Sequence, residues 1–231
     1  MGLLDTYNNL TTEQQQALGK SSSKINKPGT HLVTIEKFCV IDDSRVKVDF
    51  KDASGLTIDY TGFLTNKDPS KVEATVQRVM SQLTSMCNAA GLELKKVLSK
   101  STIGTETTKA GKDMSIESYP TAVGKKLYIT TYTEIEQDDK DANKAWARQV
   151  VDVFNFFDTK KRNGLEIQTD VDEGTTMEDT DASAKTRFEI NYKCTNSPAC
   201  ITKLAQLTEA NYVASGTTNA PTSQPESDDD I

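Results

Sequence analysis

The chain has 231 residues with 27 basic and 34 acidic side chains, a formal net charge of -7, and 35% hydrophobic residues. This length suits one substantial domain with extended ends, or two small domains. No segment has the roughly 18 consecutive apolar residues of a membrane span and no secretory signal opens the chain, so we expect a soluble cytoplasmic protein without membrane contact.

The first half of the chain begins with a polar stretch over residues 1–26, which predicts a flexible N-terminal segment. Three strands are predicted next, over residues 30–41, 45–51 and 56–65, because β-branched and aromatic residues alternate with polar ones in each run. Short polar turns separate the runs, so we expect an antiparallel meander.

The clearest helix is predicted between Pro69 and Gly91, where apolar residues recur at helical spacing and a proline and a glycine mark the two ends. Such a stripe is typical of a helix face packed on a core. The polar run that follows predicts a short helix around residues 94–98 and then a loop up to Met114.

Two more strands are predicted over residues 125–136 and 145–158, which are rich in β-branched and aromatic residues. The dipeptide Asn163-Gly164 is typical of a tight hairpin turn, so residues 165–169 are expected to pair back as a strand. Residues 169–184 are acidic and threonine-rich without apolar periodicity, and predict a mobile loop.

The last part of the chain predicts a strand within residues 187–192, a short helix over residues 201–212 and a tail over residues 213–231. The tail has no Lys, Arg or aromatic residue, so it cannot bury enough apolar surface to offset its chain entropy and is expected to be disordered. Its tip combines negative charge with one apolar side chain, in the residues Glu226, Asp228, Asp229, Asp230 and Ile231.

The acidic charge is concentrated in this last quarter. After Gln168 there are 4 basic and 12 acidic residues, which leaves 23 basic and 22 acidic residues in positions 1–168. A nearly neutral body with an anionic tail is consistent with a polyanion-binding protein whose tail competes for the same surface, and equally with an ordinary acidic protein.

The order of elements is three strands, a helix, two or three strands and a small helical ending. It predicts a mainly β fold with one or two helices, an OB-like Greek-key β-barrel over residues 27–212.

Catalysis is not indicated by any motif, and we expect a protein that is not an enzyme. The sequence has a single histidine, His31, and four cysteines without a Cys-x-x-Cys pair, which disfavours a zinc site. Cys194 and Cys200 can approach each other across the loop that contains Pro198, but free thiols are expected in a cytoplasmic protein. No metal or other cofactor is predicted.

The residue types of the sequence fit binding of single-stranded nucleic acid better than they fit catalysis. Such binding needs cations along the phosphates and aromatic rings that stack on bases. The predicted strands offer both kinds of side chain. The candidate residues are Arg45, Lys47, Lys51, Tyr60, Phe63, Lys125, Tyr128, Tyr132, Trp146 and Arg148. The alternative for each is an ordinary half-buried ring or a solvated surface charge.

Three stretches resemble the phage single-stranded DNA-binding proteins, with the helix of residues 72–91 between them. They are Lys27-Pro28-Gly29-Thr30-His31-Leu32-Val33-Thr34-Ile35-Glu36, the hairpin of residues 46–65, and Gly124-Lys125-Lys126-Leu127-Tyr128-Ile129-Thr130-Thr131-Tyr132-Thr133-Glu134. The resemblance covers roughly residues 27–168. The acidic ending is also similar to the tail tips of such proteins, although it lacks their closing aromatic residue.

The resemblance implies an OB-fold protein that coats and protects single-stranded DNA during phage replication and recombination in the bacterial cytoplasm. It implies a tail that recruits a polymerase, helicase or primase, and no cofactor. Two other classes remain open at this stage. One is a β-rich virion structural or assembly protein, and the other is an accessory subunit of a nuclease. Homo-oligomerisation and the choice between DNA and RNA are open as well.

Overall fold

The computed structural model describes residues 24–107, 111–170 and 176–214, with side chains described up to residue 210. The chain divides into two compact units. The first comprises residues up to Glu134 together with Ala147–Arg187, and the second comprises Ile135–Trp146 together with the residues from Phe188 onward. The predicted N-terminal segment and the predicted tail lie almost wholly outside the described residues.

The fold is mainly β, as predicted, and its strands form an antiparallel sheet with a few helices. The strands of the described residues are β1 (Gly29–Ile41), β2 (Arg45–Asp52), β3 (Thr57–Phe63), β4 (Thr102–Thr107), β5 (Asp113–Ser118), β6 (Lys126–Gln137), β7 (Ala145–Phe157) and β8 (Phe188–Ile190). The helices are α1 (Val72–Ala89), α2 (Leu94–Leu98), α3 (Gly164–Thr169), α4 (Thr176–Thr186) and α5 (Pro198–Ala214). No helix of the described residues is both long and apolar enough to cross a membrane.

Strand β1 organises the first unit because it is long enough to pair with three other strands. It pairs with β2 along most of its length, with β6 through its first half and with β5 through its last residues. The pairings give the order β3-β2-β1-β5-β4, and β6 joins the same sheet by pairing with β1, β7 and β8. The three-strand meander, followed in the chain by α1 and further antiparallel strands, gives the mainly β fold that the sequence predicts.

The main core lies between the sheet and α1. Val79, Leu83 and Met86 of α1 are each 1% exposed and belong to one buried cluster with Ile35 and Phe50 of the sheet. The helical stripe predicted from the sequence is therefore a packing face. Burying each such side chain contributes about 1.5–3 kcal/mol, and this packing fixes which side of β1, β2 and β3 faces the protein interior.

The prediction of a loop up to Met114 is corrected by two strands within residues 102–118. They form the hairpin β4–β5, in which all six residues of β4 are exposed and β5 pairs with the end of β1. The polar, threonine-rich composition hid the strands, because β4 is exposed throughout and β5 buries only Ile116 fully, so neither strand shows an extended apolar alternation. Residues 108–110, between β4 and β5 in the chain, lie outside the described residues.

Asn163 corrects a second prediction. It is the N-cap of α3 and not part of a hairpin turn, so residues 165–169 are helical. Its side chain accepts hydrogen bonds from the backbone N–H groups of Leu165 and Glu166, and the Glu166 carboxylate accepts one from the Asn163 backbone N–H. This reciprocal capping box is encoded by Asn and Glu three residues apart, a signal that the Asn-Gly dipeptide obscured.

Helix α4 corrects a third prediction, since residues 176–184 belong to a helix and not to a loop. Met177 and Ala184 are buried, and the Asp181 carboxylate accepts a hydrogen bond from the backbone N–H of Thr30 at 2.6 Å. Gly29 permits this approach, because its φ is +126° and a Cβ there would lie 2.7 Å from Asp181 Oδ1. Residues 171–175 lie outside the described residues.

The second unit contains the end of β6, the start of β7, β8 and α5. The backbone N–H of Asn191 donates to the carbonyl of Ile135 at 2.9 Å, and the Asn191 side chain donates to Glu136 at 3.0 Å. The strand predicted within residues 187–192 and the helix predicted over residues 201–212 are confirmed, with α5 beginning three residues earlier at Pro198.

Candidate nucleic-acid interface

The side chains of strand β2 alternate between the two faces of the sheet, and the candidate residues on this strand lie on the face away from the core. Val46, Val48 and Phe50 are 0–1% exposed and point into the core, whereas Arg45 and Lys47 point the other way and are partly exposed. Alternation along the strand produces this division. We use the name outward sheet face for the side of β1, β2, β3 and β6 that carries Arg45, Lys47, Lys51, Phe63, Lys126 and Tyr128.

The strand register brings these residues together, since directly paired residues of an antiparallel ladder point to the same face. Arg45 is the cross-strand partner of Phe63. Thr34 of β1 is paired with Lys51 on one side and with Lys126 on the other. The neighbouring pair of β1 and β6 is Leu32 with Tyr128. Cations and rings from β2, β3 and β6 therefore share one surface.

Phe63 fits the predicted role, because 58% of its surface is exposed on this face. Arg45 beside it is held by a contact of its Nη2 with Met114 Sδ of the β4–β5 hairpin, at 3.7 Å. Met114 packs on a small apolar cluster of Cys39, Ile41 and Ile116. The hairpin thus borders the outward sheet face next to the Arg45–Phe63 pair.

Tyr60 is corrected by the structure, because it points to the core face and is 6% exposed. It is paired with the buried Val48, and its hydroxyl donates to Gln82 Oε1 of α1 at 2.7 Å. Burial raises the pKa of Tyr60 to about 12. The ring is part of the packing between sheet and helix and is not available to stack on a base.

The change Tyr60→Leu tests this placement. We expect a loss of about 1–3 kcal/mol in the free energy of unfolding, since the variant loses the buried ring and the hydrogen bond to Gln82. DNA affinity is expected to stay unchanged in the folded variant. Denaturant unfolding and oligonucleotide binding at a temperature well below the transition measure the two quantities. A selective loss of affinity at unchanged stability would contradict the core placement.

The lysines of the outward sheet face have anionic neighbours. Lys47 Nζ lies 2.8 Å from Asp49 Oδ1, and Lys51 Nζ lies 3.7 Å from Glu36 Oε2. Burial is the largest single influence and lowers the pKa of Lys47, but the hydrogen bond with Asp49 and the negative charges of Asp49 and Asp59 together outweigh it, so the net shift is upward. Partly exposed ion pairs of this kind are worth only about 0–1 kcal/mol, so a phosphate can replace the carboxylate at small cost.

The residues on β6 fall in different positions. Lys125 is exposed in the turn just before the strand, and its carbonyl accepts from the Ile35 backbone N–H at 2.9 Å. Lys126, which the predicted strand also carries, shares the outward sheet face with the half-buried Tyr128. The two residues are two positions apart, the spacing that places side chains on one face of a strand.

Tyr132 lies further along β6 and is covered by a cation. The guanidinium carbon of Arg187 sits 4.0 Å from the centre of its ring. Arg187 Nη1 also donates to Asp152 Oδ2 of β7 at 2.7 Å, and Asp152 is 4% exposed. This ring face is occupied by protein, so stacking of a base on Tyr132 requires Arg187 to move. No local pattern of residues indicates this contact, because Arg187 is 55 residues away from Tyr132 in the chain.

The remaining two candidates are on β7. The guanidinium of Arg148 donates to Glu134 Oε1 at 2.8 and 3.3 Å, and its side chain is 44% exposed. Trp146 is 43% exposed and belongs to the second unit, whereas the other candidates belong to the first. The acidic tip at residues 226–231 lies outside the described residues.

His31 Nε2 is 3.0 Å from the carbonyl of Lys27 and 3.2 Å from the hydroxyl of Thr131. Within the described ranges, no group of three or more His, Cys, Asp or Glu residues is arranged to hold a metal ion. The four cysteines of the chain are free thiols.

Comparison of the sequence with models of known protein families gives no match, and comparison with curated proteins gives none either.

Proposed function

We propose that this protein binds single-stranded DNA on the outward sheet face, and that it coats and protects exposed strands during phage replication and recombination in the cytoplasm of an infected bacterium. The observation that carries the proposal is the cross-strand pair of Arg45 and Phe63, a cation beside an exposed ring on the face that also presents Lys47, Lys51 and Lys126. The proposed role is binding without catalysis.

In the proposed complex, bases stack on Phe63 and on the accessible part of Tyr128. Base stacking on an aromatic side chain is worth about 1–3 kcal/mol per base and tolerates any sequence, because every base has a flat face. Phe63 lies on β3 and Tyr128 lies on β6, and β2 and β1 lie between these two strands. A single-stranded DNA that stacks on both rings therefore crosses the sheet.

The phosphates are proposed to contact the cations between these rings. Lys51 and Lys126 flank Thr34 on the two neighbouring strands, and Arg45 and Lys47 continue the line along β2. Each phosphate neutralised by a lysine or arginine releases bound counterions, so affinity falls steeply with salt. The carboxylates paired with Lys47 and Lys51 are held by partly exposed, weak ion pairs, so we expect a phosphate to displace them.

Binding of oligo-dT tests the proposal directly. We expect fluorescence anisotropy of a labelled oligonucleotide to report a dissociation constant that rises with salt, linearly on a double-logarithmic plot. A duplex of the same length is the control and is expected to bind more weakly. Absence of binding at low salt, or affinity that does not change with salt, would refute single-stranded DNA as the ligand and favour a structural role.

The tail is proposed to recruit replication proteins such as a polymerase, helicase or primase, and to compete with DNA for the cations of the outward sheet face. Its tip carries Glu226 and three consecutive aspartates at residues 228–230. These charges imitate the charge of a nucleic acid but not its bases.

Deletion of residues 226–231 is expected to tighten DNA binding several-fold at low salt, with little effect at high salt, because the competition is electrostatic. A variant with Asn in place of Asp228, Asp229 and Asp230 keeps the length and is expected to behave like the deletion. Affinity that is equal in all three proteins at low salt would contradict the competition.

A further inference from the structure

Two thiols of the second unit lie in contact. Cys200 Sγ is 3.5 Å from Cys194 Sγ, and the two residues are separated by a short turn that contains Pro198. Both cysteines are described as free thiols. A disulfide has a sulfur–sulfur distance of about 2.05 Å, so an approach of roughly 1.5 Å would join them.

The two thiols differ in their access to solvent. Cys200 lies in the first turn of α5 and is 0% exposed, whereas Cys194 is partly exposed. The Cys194 thiol is oriented towards two carbonyls, those of Asn191 at 3.4 Å and Ile135 at 3.8 Å. Cys194 is therefore the more accessible of the two residues to an oxidant from solution, and Cys200 is in contact with it.

We propose that Cys194 and Cys200 form a redox-active dithiol that is converted reversibly into an intramolecular disulfide by a small-molecule disulfide such as oxidised glutathione. In the first step the Cys194 thiolate attacks one sulfur of the oxidant, forms a mixed disulfide and releases one thiol. In the second step Cys200 loses its proton and attacks the Cys194 sulfur, which expels the second thiol. The protein loses two hydrogens and the oxidant is reduced to two thiols.

Cys194 is assigned as the attacking thiol because it is the more exposed residue, and Cys200 as the resolving thiol because its sulfur is in contact with that of Cys194. Thiol–disulfide exchange requires access of the attacking thiol to the oxidant, and Cys194 has that access. Resolution requires a second thiol at contact distance, and Cys200 meets that condition at 3.5 Å. The product would fasten the first turn of α5 to the segment that follows β8.

Peptide mapping of the full chain tests the proposal. Trypsin cleavage after Lys193 and Lys203 places Cys194 and Cys200 in one peptide, whereas Cys39 and Cys87 fall in two others. After incubation of the folded protein with oxidised glutathione and alkylation of the remaining thiols, we expect this peptide to lack two hydrogens and to carry no alkyl group. Treatment with dithiothreitol is expected to restore both thiols. Cys39 and Cys87, which are 0% exposed, are the internal controls and are expected to be alkylated only after unfolding.

Two variants separate the roles of the cysteines. Cys200→Ser is expected to accumulate a stable glutathione adduct on Cys194, because the second step is blocked. Cys194→Ser is expected to remain unmodified over the same time, because Cys200 is buried. Cys200→Ala and Cys194→Ala serve the same purpose if a serine variant does not fold.

Several results would overturn the proposal. One is a wild-type protein that keeps four alkylatable thiols after exposure to the oxidant. A second is a disulfide that involves Cys39 or Cys87. A third is a Cys194→Ser variant that forms the adduct as fast as Cys200→Ser, which would refute the order of attack.

Discussion

Replacing Phe63 with alanine is expected to weaken binding of oligo-dT by about 1–3 kcal/mol, which is roughly a 5- to 150-fold rise in the dissociation constant. The ring is 58% exposed at the end of β3, so its removal takes away a stacking surface without opening a cavity in the core. The free energy of unfolding is accordingly expected to change by only a few tenths of a kcal/mol. Fluorescence anisotropy and denaturant unfolding measure the two quantities.

Tyr192→Ala is the matched control for Phe63→Ala. Tyr192 is an aromatic residue with 79% exposure, and Lys193 Nζ lies 5.7 Å from its ring centre, so it also combines a ring with a cation. It belongs to the second unit and not to the outward sheet face. We expect its removal to leave the affinity unchanged. Equal losses in both variants would mean that exposed rings bind DNA without regard to this face, and no loss in Phe63→Ala would remove Phe63 from the interface.

Replacing Arg45 with alanine is expected to reduce both the affinity and its dependence on salt. One phosphate contact fewer lowers the slope of the logarithm of the binding constant against the logarithm of salt by about 0.9 in duplex DNA and about 0.7 in single strands. At about 0.1 M salt this corresponds to a loss of roughly five-fold in affinity from counterion release alone. Anisotropy titrations at four or five salt concentrations give the slope.

Arg78→Ala removes the same side chain from the opposite side of the sheet. Arg78 is exposed on α1, and the buried face of that helix packs on the core side of β1, β2 and β3. The overall charge changes equally in the two variants, so any difference between them reports the position of the charge. An equal reduction of the slope in Arg78→Ala would show that DNA responds to net charge and not to the outward sheet face.

The variants Phe63→Ala and Arg45→Ala test base stacking and phosphate contact separately. Stacking on Phe63 is only weakly affected by salt, whereas the phosphate contact of Arg45 is lost as salt rises. The effect of Phe63→Ala is therefore expected to persist at high salt, where the effect of Arg45→Ala disappears. Because Arg45 and Phe63 are cross-strand partners, the double variant is also expected to lose less than the sum of the two single losses.

The alternation of charged and apolar residues within single strands made it possible to predict the central part of the candidate interface from the sequence. Arg45, Lys47 and Lys51 alternate with Val46, Val48 and Phe50, so their common face followed from the period of the strand before any coordinates. The three-strand meander and α1 could be predicted in the same way, because each of these elements buries one apolar face and so shows a regular spacing of apolar residues. Local patterns succeeded wherever burial follows the periodicity of one element.

Predictions from the sequence were wrong where the packing of a neighbouring element determines which side chains are buried and which segments are helical. Tyr60 and Phe63 are three residues apart on one strand, so they point to opposite faces, and both could not serve the same surface. The strand itself shows this parity, but only the packing of α1 against β3 makes the Tyr60 side the inner one. Residues 176–186 likewise form a helix that contacts β1, where Asp181 accepts a hydrogen bond from the Thr30 backbone N–H, a contact across 151 positions of the chain.

The sequence by itself determined the mainly β class, the meander, the long amphipathic helix and the cationic face of β2, because these depend on side-chain periodicity within one element. Only the tertiary structure decided which rings are exposed, that Arg187 covers Tyr132, and that Cys194 and Cys200 come into contact. The physical reason is that exposure and side-chain contact are properties of pairs of elements, and strand register and helix packing set those pairs through contacts between residues far apart in the chain.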